Sequence, residues 1–362
     1  MLKFYFMELI FMKMHTFFLG GSSPTGFRGP FGSVIADTDF HTYIIKGGPG
    51  TGKSSFMKKI CSHFDDEERD LYLCSSDPDS ADAVVLKKHK VIFVDGTAPH
   101  VFEPQYPGAV QEILNFGECW DSAKLKKQKA EIIAADAEYS QFHVRCRRFI
   151  SAAASVIADT KQIGDAALDT EKLDRFIKRL AKKIFPAKKA SAGKVFFKQI
   201  SAITPKGYLT IPEPDDKIYL LNDSYFAGSD YFLRSFSEIA AELGYDTEVS
   251  VCTLYENELF EHMRIPSLNI SFISANPVNK VYLDEKSPVN FMRFYSKEAV
   301  AAKKVRLRFN ASAAADLIGE AVSCLKSAKA AHDKLEEFYI SAIDFDKVNK
   351  NFEKYLALIE ND

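Results

Sequence analysis

Three things are scarce in this sequence: net charge, paired cysteines and long apolar runs. Its 362 residues carry 47 Lys plus Arg against 49 Asp plus Glu, a formal net charge of −2. So even a balance argues against wholesale binding to nucleic acid or to an anionic membrane. Only residues 121 to 198 depart from it, with 18 basic and 9 acidic residues, which leaves the remainder of the chain acidic. The six cysteines (Cys61, Cys74, Cys119, Cys146, Cys252 and Cys324) are scattered without a Cys-x-x-Cys pair, so neither a zinc site nor a disulfide framework is indicated. A reducing cytoplasm is the expected location. The segment Met1 to Met14 is apolar and aromatic, yet Lys3, Glu8 and Lys13 interrupt it and no small-residue cleavage site follows. Neither a signal peptide nor a membrane span is therefore expected. Met12 and Met14 offer alternative starts, and the ordered domain is expected to begin near His15. With 46% hydrophobic and 27% charged residues, the chain suits two or three ordinary globular domains.

What the sequence does have is one concentrated glycine motif. Gly47-Gly48-Pro49-Gly50-Thr51-Gly52-Lys53-Ser54 fits the phosphate-cradling pattern Gly-x-x-x-x-Gly-Lys-Ser/Thr. The run His41 to Ile45 before it is β-branched and aromatic, and Ser54 to Ile60 behind it reads as the first turns of a helix. In that order of strand, loop and helix, the glycines let backbone N–H groups converge on phosphate oxygens, and the helix N-terminus adds partial positive charge. Lys53 would reach the β- and γ-phosphates, Ser54 would ligate Mg²⁺, and the binding set runs from Gly47 through Ser55. Farther on, Val91-Ile92-Phe93-Val94-Asp95 is an apolar strand ending in aspartate, the pattern that holds the same Mg²⁺ beside such a loop. The next residue is Gly96, where many ATPases carry a water-activating glutamate, so fast hydrolysis is not expected. Asp77, at the carboxyl end of the strand Leu71 to Cys74, is a candidate for orienting the metal, a water or an acceptor hydroxyl. The simpler reading of Asp77, Asp79 and Asp82 is turn and cap formation around Pro78. His100 and Thr97 follow the second strand and are candidates for sensing the γ-phosphate or relaying a proton; an isolated histidine is as readily a packing residue.

The rest of the chain is read as support. Apolar residues at Ile132, Ala135, Tyr139, Phe142, Cys146, Phe149, Ala153 and Val156 mark a long packed helix, with Arg145, Arg147 and Arg148 on a solvated face. A shorter helix over Thr170 to Phe185 ends at Pro186. Then the pattern repeats: Tyr43-Ile44-Ile45 matches Tyr219-Leu220-Leu221, Phe56 matches Phe232, Cys74 matches Cys252, and Val91 to Val94 matches Ile270 to Ile273. A second helical stripe runs from Ile318 to Ala342. Internal duplication is the economical account. The copies are chemically unequal, because Gly47, Gly48, Gly50, Lys53 and Ser54 correspond to Asp223, Ser224, Phe226, Ser229 and Asp230, and Asp95 to Ser274. Only the first half is expected to bind nucleotide.

On these residues the first half resembles P-loop NTPases. The whole layout resembles a family of duplicated P-loop ATP-binding proteins from Firmicutes and related bacteria. Besides Gly47 to Ser54, the resemblance is carried by Cys74 to Ser80, Asp95 to His100, Pro107 to Val110, Gly117 to Asp121 and Ala202 to Gly207. It implies ATP binding with Mg²⁺ and hydrolysis, without naming a substrate. In that family the second copy often keeps its own phosphate loop, and this chain departs from the pattern at Asp223 to Asp230. The expected fold is α/β: two tandem P-loop-type parallel-sheet domains (15–120 and 194–296), each followed by a helical hairpin arm (121–190 and 297–362). The expected function is a Mg-ATP-binding protein and slow ATPase acting through Lys53, Asp95, Asp77 and His100. Two alternatives stay open. One is a small-molecule or nucleotide kinase in which Asp77 or His100 prepares the acceptor. The other is a nucleotide-gated module whose basic region 121 to 198 binds nucleic acid or an acidic protein.

Overall fold

The computed structural model describes residues 14–98, 101–255, 258–283 and 287–361. They form two compact units, neither contiguous in sequence. The first comprises the described residues of 1–21, 27–145 and 323–362, and the second comprises 22–26 and 146–322.

β1 (Met14–Phe18) of the first unit is followed by a two-stranded ribbon of β2 (Gly21–Ser23) and β3 (Gly26–Arg28), whose residues 22–26 belong to the second unit, and by a short helix α1 (Phe31–Ile35) of the first. Then come β4 (His41–Lys46), α2 (Lys53–His63), β5 (Arg69–Leu73), β6 (Ala81–Leu86), β7 (Val91–Asp95) and β8 (Gln111–Asn115). Six of these strands make one sheet in the order β1-β5-β6-β7-β4-β8. The sheet is mixed rather than parallel as expected: β6 runs antiparallel to both β5 and β7, while β1–β5, β4–β7 and β4–β8 are parallel. The connections explain the difference. Residues 74–80 and 87–90 are too short for a parallel crossover, which needs a dozen or more residues, so β6 can only fold back as a hairpin on each neighbour. All six residues of β6 are buried, so the strand lacks the apolar–polar alternation of a half-exposed strand, and the acidic loop before it masks its start.

The second unit holds β9 (Val195–Phe197), the antiparallel pair β10 (Ser201–Thr204) and β11 (Gly207–Thr210), and β12 (Lys217–Asn222). Helix α6 (Ala227–Glu242), β13 (Thr247–Val251), β14 (Phe260–Ile265), β15 (Ile270–Ala275) and β16 (Ser287–Asn290) complete its chain order. Its sheet reads β9-β13-β14-β15-β12-β16, the same order and the same single reversed strand as the first. The register agrees in detail. Ile45 faces Asp95 in one sheet and Leu221 faces Ser274 in the other.

The helices that remain are α3 (Ser122–Lys127), α4 (Lys129–Ala167), α5 (Thr170–Ile184), α7 (Lys297–Ala302), α8 (Lys304–Ile340) and α9 (Phe345–Asn361). Their apolar stripes are inward-facing. Cys146, Ile150, Ala153 and Ile157 of α4, and Ala321, Leu325, Ala328 and Leu335 of α8, are buried, whereas Arg145, Arg147 and Arg148 are exposed. The two cores take their last helices crosswise. Phe56, Met57 and Ile60 of α2 pack with Tyr43, Ile45 and Phe93 of the first sheet, and the layer is completed by Val348, Tyr355, Leu356 and Ile359 of α9. In the second unit, Phe232 and Phe236 of α6 pack with Tyr219 and Phe272, and Leu173, Ile177, Leu180 and Ala181 of α5 complete that core. Among the described residues no helix is long and apolar enough to cross a membrane. None of the six cysteines is in a disulfide.

Candidate functional site

The site is built at the carboxyl edge of the first sheet, where β4 ends and α2 begins. The buried residues Thr42 to Ile45 anchor β4 beneath it. The chain then turns through Gly47 to Gly52, with Gly50 at φ +66° and Gly52 at φ +86°, backbone conformations that a side chain would strain. Gly47 has no room for a Cβ, which would lie 2.9 Å from Thr51 Oγ1 and 3.0 Å from Phe116. Thr51 Oγ1 donates to the Gly48 carbonyl at 2.8 Å and fixes the loop's curvature.

Gly52 is the residue before α2, and no side chain caps this helix, nor is there an acidic residue in its first turn. By contrast α3, α5 and α7 are capped by Asp121, Asp169 and Ser296. A helix N-terminus carries backbone N–H groups without intrahelical partners and a partial positive charge, so an uncapped one is suited to an anion. Lys53, 9% exposed, curls back over the loop and donates to the carbonyls of Gly47 (2.9 Å) and Gly48 (2.8 Å). Its ammonium also lies 3.6 Å from Asp95 Oδ2. Asp95 comes from β7, the immediate parallel neighbour of β4, and its other oxygen accepts from Thr97 N (2.9 Å) and Thr97 Oγ1 (2.6 Å). Ser54 Oγ accepts from the Ala81 amide at 2.9 Å and keeps a second lone pair for another partner. Loop and helix amides, one ammonium, one hydroxyl and one carboxylate are thus brought together, a donor set that could hold a phosphate chain with its metal ion. Pro49 lies within this loop, and Ser55 is exposed on the first turn of the helix.

Asp77 belongs to a self-contained turn. Its carboxylate accepts from Asp79 N (3.3 Å) and Ser80 Oγ (2.8 Å) and lies 3.6 Å from Lys329 Nζ. Just before the turn, burial and the neighbouring Asp82 push the Cys74 thiol well above its ordinary value. His100 lies outside the described residues.

The sequence reading did not anticipate the contribution of α8. Its last turns lie directly against the glycine-rich loop within the same unit. A Cβ on Gly48 would stand 2.7 Å from the Tyr339 ring, and one on Gly50 would stand 2.9 Å from both the Glu336 carbonyl and Ile340. Glycine is therefore required at these two positions by helix packing alone. The Gly50 N–H donates to Glu336 Oε1 at 3.1 Å. Two turns before Glu336, burial works against the charge on Lys329, but Asp333, Asp77 and Glu336 outweigh it and hold the ammonium above the ordinary lysine value. These residues were visible in the sequence only as a packing stripe, because nothing local says which loop a helix about 290 positions away will cover.

The corresponding loop of the second unit is closed on itself. Asp223, 2% exposed, accepts from Ser229 N (2.8 Å), Ser229 Oγ (3.0 Å), Tyr225 N (3.0 Å) and Tyr295 OH (2.8 Å). Gly228 N donates in turn to Tyr295 OH at 2.7 Å. The amides that would face an anion are thus occupied by this chain's own carboxylate and phenol. Asp230 repeats the scaffold role of Ser54, accepting from Phe260 N at 2.9 Å as Ser54 does from Ala81 N. Arg234 and Arg264 are committed to Asp230 and to Asp215 with Glu248.

Fold and site together define a mixed α/β protein with one glycine-rich loop covered by the end of α8 and a second loop closed by its own residues. No protein-family model matches the chain, and no curated protein or solved structure does so either.

Proposed function

We propose that this chain is a cytoplasmic P-loop protein, formed by internal duplication, that binds Mg-ATP at Gly47 to Ser55 and hydrolyses it slowly. The observation that carries the reading is the placement of Lys53. Its ammonium rests on two carbonyls of a glycine-rich loop and beside Asp95 on the adjacent parallel strand, at a helix N-terminus with no cap of its own. The same strand order in both units supports the duplication.

When bound, Mg²⁺ neutralises phosphate charge and polarises the terminal phosphoryl group. The protein's own part is positioning. Loop amides would orient the phosphates, Lys53 would exchange its carbonyl partners for phosphate oxygens, and Ser54 and Asp95 would hold the metal. Thr97 fixes the Asp95 carboxylate through two hydrogen bonds, so that its second oxygen keeps one direction. Slowness has a steric basis. A Cβ at Gly96 would lie 2.3 Å from Ile44 Cγ2, so a glutamate cannot occupy the position from which a water is commonly activated.

The test is a titration of Mg-ATP into the full chain and into Lys53→Ala. Wild-type binding should weaken at least about tenfold in the variant, as expected for losing one charge-assisted hydrogen bond of roughly 1.5–3 kcal/mol. Thermal unfolding should be little changed. Equal affinity in the two proteins would reject the site. Tracing the labelled γ-phosphate separates the activities: free phosphate marks the ATPase, and transfer to a metabolite marks the kinase.

A further inference from the structure

We propose that Glu336 is a built-in competitor for the phosphate site: its carboxylate takes the Gly50 N–H that a bound phosphate group would take, so the loop holds either the end of α8 or a nucleotide. The inference rests on the reading of Gly47 to Ser55 as a phosphate loop and adds its regulation.

Three observations carry it. The hydrogen bond from Gly50 N to Glu336 Oε1 is 3.1 Å long and joins residues 286 positions apart, so it is a product of the tertiary fold. A carboxylate is the side-chain group nearest to phosphate in charge and acceptor geometry, and a single N–H cannot serve both. The contact is also backed by packing. Tyr339 covers Gly48 and Ile340 covers Gly50, so the loop face around this amide is sheltered by the same helix end. The comparison with the second unit is instructive, because there too a carboxylate, Asp223, satisfies the loop amides. Asp223 is itself a loop residue, buried and locked by four donors. Glu336 is only partly buried, belongs to a separate helix and makes this contact through one oxygen, with His332 Nδ1 3.7 Å from that same atom. The first carboxylate holds its amide by one side chain that can rotate away; the second is part of the loop.

The experiment measures binding of inorganic pyrophosphate and of Mg-ATP to the full chain. It compares wild type with Glu336→Gln, Glu336→Ala and, as a neighbouring control, Glu337→Gln, each also in a Lys53→Ala background. Both Glu336 variants should bind both ligands about tenfold more tightly or better, since one charge-assisted hydrogen bond no longer opposes them. Glu337→Gln should match wild type, and Lys53→Ala should abolish the gain. Equal or weaker binding by both Glu336 variants, with wild-type binding still dependent on Lys53, would overturn the competitor while leaving the phosphate loop intact. Absence of binding in every protein would overturn the phosphate-loop reading and the competitor with it.

Discussion

A buried pair of neighbours in the second unit shows how single residues set a pH response. Glu261 and His262 are each 1% exposed. Burial pushes Glu261 up to about 7 from an ordinary 4.5, even though Asn279 and Tyr208 donate to it. Burial lowers His262 to about 3 from 6.5. The hydrogen bonds agree with a neutral imidazole. Ser274 N donates to His262 Nδ1 at 3.1 Å, so the ring proton sits on Nε2 and points to Ser201 Oγ at 2.7 Å. That tautomer also means that Ser201 and His262 are not a nucleophile and its base. The signs of linkage then oppose each other. Between pH 4.5 and 7 the native Glu261 holds a proton that the unfolded chain has lost, so its contribution to stability falls as pH rises. Between pH 3 and 6.5 the native His262 lacks a proton that the unfolded chain has gained, so its contribution falls as pH drops. Each slope is about 1.4 kcal/mol per pH unit, and from pH 4.5 to 6.5 they offset. Glu261→Gln should therefore expose the histidine slope: relative to wild type, its urea midpoint should fall on moving from pH 6.5 to 5. The same relative midpoint at both pH values would show that Glu261 does not titrate as described.

At the scale of elements, α9 is the piece whose position counts for most. Sequence periodicity identifies it only as part of a C-terminal helical arm, yet Tyr355 packs edge-on against Tyr43 of the loop strand at 4.9 Å and lies near Phe56 and Phe93. Truncating a large aromatic side chain in such a core typically costs about 3–5 kcal/mol. Tyr355→Ala should destabilise the first unit by roughly 3 kcal/mol, allowing for its polar hydroxyl, as read from the unfolding midpoint in urea. Loss of under about 1 kcal/mol would mean that α9 is loosely docked. The elements nearest the glycine motif were the most legible: β4, α2 and β7 follow from β-branched runs, glycine punctuation and an apolar run ending in Asp95. The strand β6 was not, since six buried residues after an acidic turn lack the alternation by which half-exposed strands are recognised.

At the scale of the molecule, each unit draws its covering helix from the other half of the sequence. Residues 170–184 lie early in the chain but complete the core built from Phe232 and Phe236, while 345–361 complete the core that holds the glycine-rich loop. A cut at the apparent boundary near residue 190 separates each sheet from a helix that it needs. Fragments 1–190 and 194–362 should each be insoluble or unfolded when expressed alone. They should recover together on co-expression, as judged by co-purification and by far-ultraviolet circular dichroism. If 1–190 folded on its own, α9 would be dispensable to that core.

What the sequence determined by itself is local: a glycine-rich loop ending in Lys53-Ser54 between a strand and a helix, an aspartate closing a second strand, and a later strand–loop–helix stretch whose loop, Asp223 to Asp230, lacks most of those glycines, and the lysine and the serine, at the matching positions. These depend on residue type and on spacings of a few positions, which the backbone reads directly. Tertiary structure alone decided that β7 is the immediate neighbour of β4, that the sheets are mixed, and that Asp223 occupies the amides of its own loop. It also decided that Glu336 reaches the amide of Gly50. Each of those facts depends on pairings between distant segments, and an amphipathic stripe specifies that a helix will be covered without specifying by what.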